Sequence, residues 1–422
     1  MKEFPDDIQE PRSGQGKFLS RIRTFDSLRH GGYRLLWLAS LGTSSGYFLQ
    51  QVVIGWLVYD LTNSELLTAL ALGLDALPQL VGGPIGGALV DVWDRRKILI
   101  YLPLYQAALS IGFAILVMAG YLETWHILVF VPAIGSAWFL IEPARMAYTP
   151  QVVPRQRLVN AYALTQLAFA TSRLTGPVIG GIVLALYGPG PTLLAQAGVQ
   201  VSATIAALLI RTPPMPKTKI NLRSVYEGLA EMYKYAKTNL VVPGLLLCAI
   251  ATPLLVVPAT SGLMPVYIAD VFDKGPVELG LLIAVSGAGS IFGVIMLATF
   301  ANMRCKGIVL LSSLAATGIF MAVASFTPFF GGALIVFMLI GIGYTITQTL
   351  SWAILATQIP DDLRGRVAGL IMATWGFLPA GSLLSGLLAE RYSAPMATLV
   401  GGGLVIIFAI GVGLRFRSVR QI

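Results

Sequence analysis

Gly83-Pro84-Ile85-Gly86-Gly87-Ala88-Leu89-Val90-Asp91-Val92-Trp93-Asp94-Arg95-Arg96-Lys97 is the stretch on which the reading turns: an apolar run ends, five charged residues fall within seven positions, and another apolar run begins. The runs on either side, 65–90 and 98–120, each exceed the roughly 20 residues that a helix needs to cross about 30 Å of hydrocarbon. So short a link forces the two helices antiparallel. Ten further runs of this kind follow the same rule: 35–59, 125–147, 159–186, 190–210, 241–268, 277–300, 307–326, 329–354, 366–388 and 395–414. The chain has 422 residues, of which 56% are hydrophobic and 12% charged. That apolar share is about 236 residues, close to the roughly 240 that twelve crossings require, and the charged share is half that of a soluble domain.

The expected fold is an all-α membrane protein with twelve transmembrane helices in two six-helix bundles. A tail over 1–34 precedes the first bundle, 35–210; a linker over 211–240 leads to the second, 241–414; a short tail, 415–422, ends the chain. The linker opens with the Pro-rich breaker Arg211 to Pro216. It then places Leu222, Val225, Leu229, Met232 and Ala236 opposite Arg223, Glu227, Glu231 and Lys234, the pattern of an amphipathic helix on a membrane face. Cys248 lies in an apolar run and Cys305 in a short basic loop, so neither a disulfide framework nor a zinc site is expected, and no metal. A removable signal peptide is not expected either, because the polar N-terminal stretch lacks a short apolar core with a small-residue cleavage site.

Charge placement sets the expected orientation. Of the 29 Lys and Arg, 26 fall in the N-terminal tail, every second loop and the C-terminal tail, while only Lys274 and Arg391 lie near the other face and Arg173 lies within a span. Lys and Arg flanking short loops stay in the cytoplasm, so both termini are expected there. The same asymmetry accounts for the formal charge of +9 without a nucleic-acid partner. Phe18, Leu19, Ile22 and Phe25 among Lys17, Arg21, Arg23 and Arg29 suit contact with anionic membrane lipid.

The two bundles carry traces of a repeat. Gly83-Pro84-Ile85-Gly86-Gly87 matches Gly289-Ser290-Ile291-Phe292-Gly293 at an offset of 206, and Gly176, Gly181 and Tyr187 match Gly381, Gly386 and Tyr392 at 205. Gln151-Val152-Val153-Pro154 and Gln358-Ile359-Pro360 occupy nearly equivalent places. Pseudo-symmetric halves are the architecture of transporters that rock one half against the other around a midplane site.

Gly87, Asp91, Arg95 and Arg96 match, position for position, the signature loop of the major facilitator superfamily, Gly-x-Leu-Ala-Asp-Arg-x-Gly-Arg-Arg/Lys; Val92 replaces its Arg and Asp94 its second Gly. The Asp-Arg-Arg ending resembles the branch of bacterial efflux proteins that includes the enterobactin exporter and macrolide pumps. So do Gly55-Trp56-Leu57-Val58-Tyr59-Asp60-Leu61-Thr62, Pro143-Ala144-Arg145 and Gly176-Pro177-Val178-Ile179-Gly180-Gly181. The second half is similar to the family in layout and in 360–366, but its loop over 301–307 lacks the acidic residue. This resemblance implies the major facilitator fold, a cytoplasmic gate at Gly87, Asp91, Arg95 and Arg96, and an antiporter-like motif at Gly176, Pro177, Gly180 and Gly181, with Ser172 where exporters have Gly one turn earlier.

Ionisable groups inside spans are the sharper signal, since each costs about 2.5–3.5 kcal/mol at a helix centre unless it meets water or a partner. Asp75 stands ten residues into the second span, near the midplane, and is the candidate for proton coupling or cation recognition. The competing reading is a neutral carboxyl satisfied by a neighbouring hydroxyl or amide. Glu142 and Arg145 stand three apart on one helical face and can pair with each other; Arg173 falls towards the inner third of the fifth span. These three are read as structural or gating charges. Tyr344, Gln348, Ser351 and Trp352 share a stripe, and Gln50, Gln51 and Gln166, with Gln196 and Gln200, add amides in other spans. Gln50, Gln51, Gln166, Tyr344, Gln348 and Trp352 are the candidate cavity-lining residues, although interhelical hydrogen bonding explains such residues as well.

The expected protein is a monomeric bacterial inner-membrane exporter of a partly apolar organic compound, of the drug or siderophore class, driven by a proton gradient and without a cofactor. Import or facilitated diffusion fits the same architecture. No Walker-type phosphate loop is present. Neither a nucleophile with its base nor a metal-ligand cluster supports the competing class, a membrane enzyme or lipid-handling protein.

Overall fold

The computed structural model describes residues 27–154, 157–210, 241–299, 305–358 and 373–420, without the side chains at 81, 84, 87, 88, 91, 159 and 356–358. The linker helix expected over 211–240, most of the N-terminal tail, the loop residues 301–304, the 360–366 motif, and the side chains of Gly87 and Asp91 therefore lie outside the described residues. The regular structure among the described residues is entirely helical.

The first half runs α1 (Gly31–Thr62), α2 (Glu65–Leu74), α3 (Leu77–Val92), α4 (Arg95–Met118), α5 (Thr124–Gly135), α6 (Trp138–Val152), α7 (Leu158–Tyr187) and α8 (Pro189–Leu208). The second runs α9 (Val241–Val271), α10 (Pro276–Thr299), α11 (Lys306–Ser325), α12 (Phe330–Gln358), α13 (Leu378–Arg391), α14 (Ala394–Arg415) and the short α15 (Arg417–Arg420). Nine stretches of the described residues are long and apolar enough to cross a membrane, α5 and α6 together forming one of them. The 32-residue α1, the α2–α3 pair and α13 complete twelve crossings.

Short polar signals make the turns. Ser64 caps α2 by accepting from the Leu67 N–H, Asp94 caps α4 by accepting from Arg96 and Lys97, and Ser393 caps α14 by accepting from Met396. Asp94, where the family loop has Gly, thus starts the third crossing. Gly188, at φ 80°, reverses the chain between α7 and α8 by itself, a conformation that favours glycine, and Pro189 begins the next helix.

Among the described residues, three crossings are irregular in their interior, and the eleventh is wound as a 3-10 turn over Trp375–Phe377 before α13. The second breaks at Asp75 and Ala76, where Pro78 supplies no N–H for the Leu74 carbonyl. The fourth breaks at Ser136 and Ala137, after a Gly–Ser pair. The seventh, α9, is wound as π-helix over Thr252–Val256, Pro258–Gly262 and Tyr267–Val271, around Pro253, Pro258 and Pro265.

The halves meet along two seams that the internal repeat relates to each other. In one, α7 packs on α10: a Cβ on Gly280 would overlap the Pro177 carbonyl, and one on Gly181 would overlap that of Pro276. In the other, α13 packs on α2: a Cβ on Gly73 would overlap Ser382, and one on Gly386 would meet Leu66. Pro177 and Ser382 are separated by the same 205 positions as Gly181 and Gly386. The repeat also holds inside the halves, where Gly176 packs on Phe48 of α1 and Gly381 on Leu254 of α9. Without side chains the backbones approach closely enough for Cα–H contacts to carbonyl oxygens.

Gly280→Val should therefore lower the thermal unfolding midpoint, because overpacking a tight contact costs about 1–3 kcal/mol. Gly411→Ala is the control: a Cβ there meets nothing within 4 Å, and better helix propensity should hold or raise the midpoint. A scan of the purified protein in detergent reads both, and equal midpoints for the two variants would contradict the seam.

Candidate functional site

Asp75 occupies the break between α2 and α3 and is only 8% exposed. Opposite it stands the break between α5 and α6. A Cβ on Gly135 would overlap the Asp75 carbonyl and approach its Oδ1 at 2.6 Å, so only a residue without a side chain lets the carboxylate back onto α5. Two interrupted helices thus face each other around one acid. Such interruptions free backbone polar groups and are tolerated at membrane depth where they are buried in protein or line a cavity.

Tyr47 of α1 is the hub of this region. Its hydroxyl neighbours the Asp75 carboxylate and accepts from Gln51 Nε2 at 2.9 Å. Its ring stacks on Trp138, the first residue of α6, with centroids 4.9 Å apart and planes at 22°. Across the interface Tyr344 of α12 lies in the neighbourhood of Tyr47, and the Arg173 guanidinium lies 5.4 Å from the Tyr344 ring centroid, within cation–π range. Asp75, Tyr47, Tyr344 and Arg173 thus follow one another from the first half to the second and back. Arg173 also packs on Gly287 of α10. Along α7 it stands fifteen residues from the start and fourteen from the end.

Two small cavities adjoin this series. One, about 10 Å³, is lined by Gln50, Gln51, Ile54, Leu72, Asp75 and Val131. The other, about 40 Å³, lies between the halves, where Gln51, Ser261 and Ser382 provide polar groups among Leu72, Val257, Pro258, Pro265, Ile283 and Leu378. At roughly 10–15 Å³ per water the second holds a few waters and is far below the several hundred Å³ of a drug-sized pocket.

Hydrogen bonds close the face at which the connections 63–64, 188, 272–275 and 392–393 gather, here called the distal face; the face bearing the chain ends is the terminal face. The Tyr59 hydroxyl at the end of α1 donates to Asp270 near the end of α9. Glu390 of α13 accepts from the Ser64 hydroxyl at 2.7 Å and the Leu66 N–H at 3.2 Å. Each joins one half to the other. The sequence showed Tyr59 only within the Gly55–Thr62 motif and passed over Asp270 and Glu390, whose signal was an acidic residue closing the seventh and the eleventh span on a face poor in basic ones.

The other expected site residues are distributed as follows. Arg95 Nη1 donates to the Ala147 carbonyl at 2.9 Å and Arg96 Nη2 to that of Leu208 at 2.9 Å, tying α4 to the terminal ends of α6 and α8. Glu142 and Arg145 form an ion pair. Gly176 and Gly180 face Phe48 and Leu49 of α1, whereas Pro177 and Gly181 face α10, so the antiporter-like motif is a two-sided packing surface. Gln50 is bound to Gln196. Gln166 is exposed on α7. Tyr344 joins the central series, but Gln348 and Trp352 line neither cavity, and Trp352 packs on the apolar core of the second half. The stripe on α12 is divided because it is longer than the face that α12 turns to the centre.

The fold and site define a multi-pass membrane transporter. A family model described as transmembrane secretion effector matches residues 22–421, and the chain belongs to this family of major facilitator transporters, which are not enzymes. It is 26% identical to macrolide efflux protein A of Streptococcus pyogenes over 383 residues, 88% of this chain and 92% of that protein. It is 27% identical to the enterobactin exporter EntS of Shigella boydii serotype 4 (strain Sb227) over 387 residues, 90% of each. Multidrug efflux pump Tap of Mycolicibacterium fortuitum is 24% identical over 372 residues, 86% of this chain and 90% of Tap. Among solved structures, the fold matches the nucleoside transporter NupG with a TM-score of 0.71 at 13% identity, over 92% of this chain and 99% of NupG. It matches a POT family transporter with 0.73 at 11%, over 94% and 99%.

The distal contacts can be tested with a thiol at the central cavity. In a Cys248→Ala, Cys305→Ser background carrying Ser261→Cys, adding Tyr59→Phe and Glu390→Ala should speed labelling by an impermeant maleimide from the distal side about tenfold or more. Hydrogen bonds to charged acceptors contribute about 1.5–3 kcal/mol each. Unchanged labelling would deny these bonds a part in closure.

Proposed function

We propose that the protein exports a partly apolar organic compound, of the drug or siderophore class, from the bacterial cytoplasm by alternating access, exchanging it for protons moving inward. It works as a monomer in the inner membrane, with the terminal face cytoplasmic and no bound cofactor. One observation carries the coupling: a carboxylate buried at two facing helix breaks, one Tyr47 hydroxyl away from the interface between the halves. A group so placed changes charge at low cost only when its surroundings rearrange, which is what links a proton to rocking halves. Outward direction is supported by relatives named for efflux and export, and orientation by the concentration of Lys and Arg on one face.

Asp91, Arg95 and Arg96 take the part of the cytoplasmic gate in this scheme. The compound occupies the space between the halves, with Gln51, Ser261 and Ser382 as its polar contacts among apolar walls. That composition suits a molecule held mainly by shape and oriented by a few hydrogen bonds.

Reconstitution into liposomes with an imposed pH gradient, screened with macrolides, enterobactin and other amphiphilic compounds, tests the reading. Gradient-driven accumulation is expected for the parent. It should be abolished in Asp75→Asn, while the thermal midpoint is preserved and exchange of substrate for substrate continues. Gradient-driven transport by Asp75→Asn at the parental rate would remove the coupling role. Movement indifferent to the gradient in the parent would make the protein a facilitator.

A further inference from the structure

Behind Asp75, within the first half, lies a second polar region that faces no substrate space. Gln50 of α1, Gln106 and Ser110 of α4, and Gln196 and Gln200 of α8 are each at most 5% exposed. They belong together. Gln196 Nε2 donates to Gln50 Oε1 at 2.9 Å, and Gly46 leaves room on α1 for the Gln200 amide. Contacts of Thr204 with Ile100 and of Gly190 with Ala114 and Met118 set the antiparallel register of α8 on α4. That register brings Gln200 within a turn of Gln106, and Gln196 within a turn of Ser110.

Four oxygens here, Oε1 of Gln106, Gln196 and Gln200 and Oγ of Ser110, have no protein hydrogen-bond partner. A dry buried oxygen is costly, and buried water is the usual remedy where several polar groups converge. The region touches Asp75 twice. Gln50 and Asp75 line the same cavity of about 10 Å³, room for about one water. Gln106 Nε2 donates at 3.2 Å to the carbonyl of Ile134, the residue before Gly135, on which Asp75 backs.

We propose that this seam is a hydrated proton path: waters held by Gln106, Ser110, Gln196 and Gln200 exchange the Asp75 proton, so that protons pass through the first half while substrate passes between the halves. The proposal rests on Asp75 being the coupling residue. In the step itself the carboxyl O–H bond breaks, its electron pair stays on the carboxylate, and the proton joins the nearest water. Each following water passes on a different proton along its hydrogen bonds. The amides do not ionise; they orient the waters and are positioning residues.

Replacing Gln196 and Gln200 together by Leu removes the oxygens and fills the space; Gln196→Ser shortens the side chain and leaves a hydroxyl with room for water. Proton release on substrate addition, followed with a pH dye, should slow about tenfold in the Leu pair and stay near parental in Gln196→Ser. Substrate affinity should stay within about twofold. Infrared bands of internal water, identified by exchange into oxygen-18 water, should be present in the parent and lost in the Leu pair. If the Leu pair folds poorly, Ser110→Ala, the smallest deletion, should show slowing in the same direction.

Parental proton release in these folded variants would overturn the path, as would release and affinity falling in parallel. Dependence of transport on sodium that disappears in the Leu pair would also overturn it by assigning the oxygens to a cation. Asp75→Asn in the same assay separates the two readings. Loss of release in Asp75→Asn but not in the Leu pair sinks the path alone. Undiminished release in Asp75→Asn sinks the coupling reading, and the water bands still decide whether the seam is wet.

Discussion

Hydrocarbon offers no hydrogen bonds, so every peptide group at membrane depth must find its partner inside the protein. Most of this chain meets that constraint with uninterrupted helices. The exceptions are few, and polar chemistry gathers at them. The interruption at Asp75 and the loosened winding of α9 over Pro258–Gly262 each line one of the two central cavities, and the interruption at Ser136 and Ala137 follows Gly135, on which Asp75 backs. Proline and the Gly–Ser pair cause the irregularities locally; the packing of α2 on α5 and of α9 on α13 shelters the groups they free. Local sequence chemistry, helix geometry and the placement of the acid are thus one chain of cause.

A second constraint concerns how the halves touch. Association of helices in lipid gains little from burying apolar surface, because lipid is equally apolar, and depends on close packing. Glycines at 73, 181, 280 and 386 provide it, and the repeat relates one seam to the other. Directional bonds between the halves concentrate instead at the distal rim, at Tyr59, Ser64, Asp270 and Glu390. The central series of Tyr47, Tyr344 and Arg173 lies between these two kinds of contact. It sets Asp75 of the first half beside the interface with the second.

Much of this was legible in the sequence for reasons that are physical. Run length fixes crossings, short links fix antiparallel neighbours, and an acid deep in an apolar run must be buried or functional. Asp75 was found that way, and Glu142 with Arg145 by helical spacing. What the sequence hid depends on rotation and distance between helices. Tyr47 reads as one aromatic among many until Trp138 and Asp75 arrive from other crossings. Trp352 shares a stripe with Tyr344 yet turns into the core of the second half, because two turns of helix lead away from the centre. Gln196 and Gln200 were visible as amides; that they meet Gln106 and Ser110 follows only from the register of α8 on α4.

The glycine seams have a mechanical consequence. A contact made of carbonyl oxygens against bare Cα atoms is weak at each point and only loosely directional, so it fixes the spacing of two backbones more firmly than their register. The bonds at the rim, by contrast, are directional and have fixed partners. The two halves are thus spaced by broad backbone contacts and keyed by a few bonds at one edge.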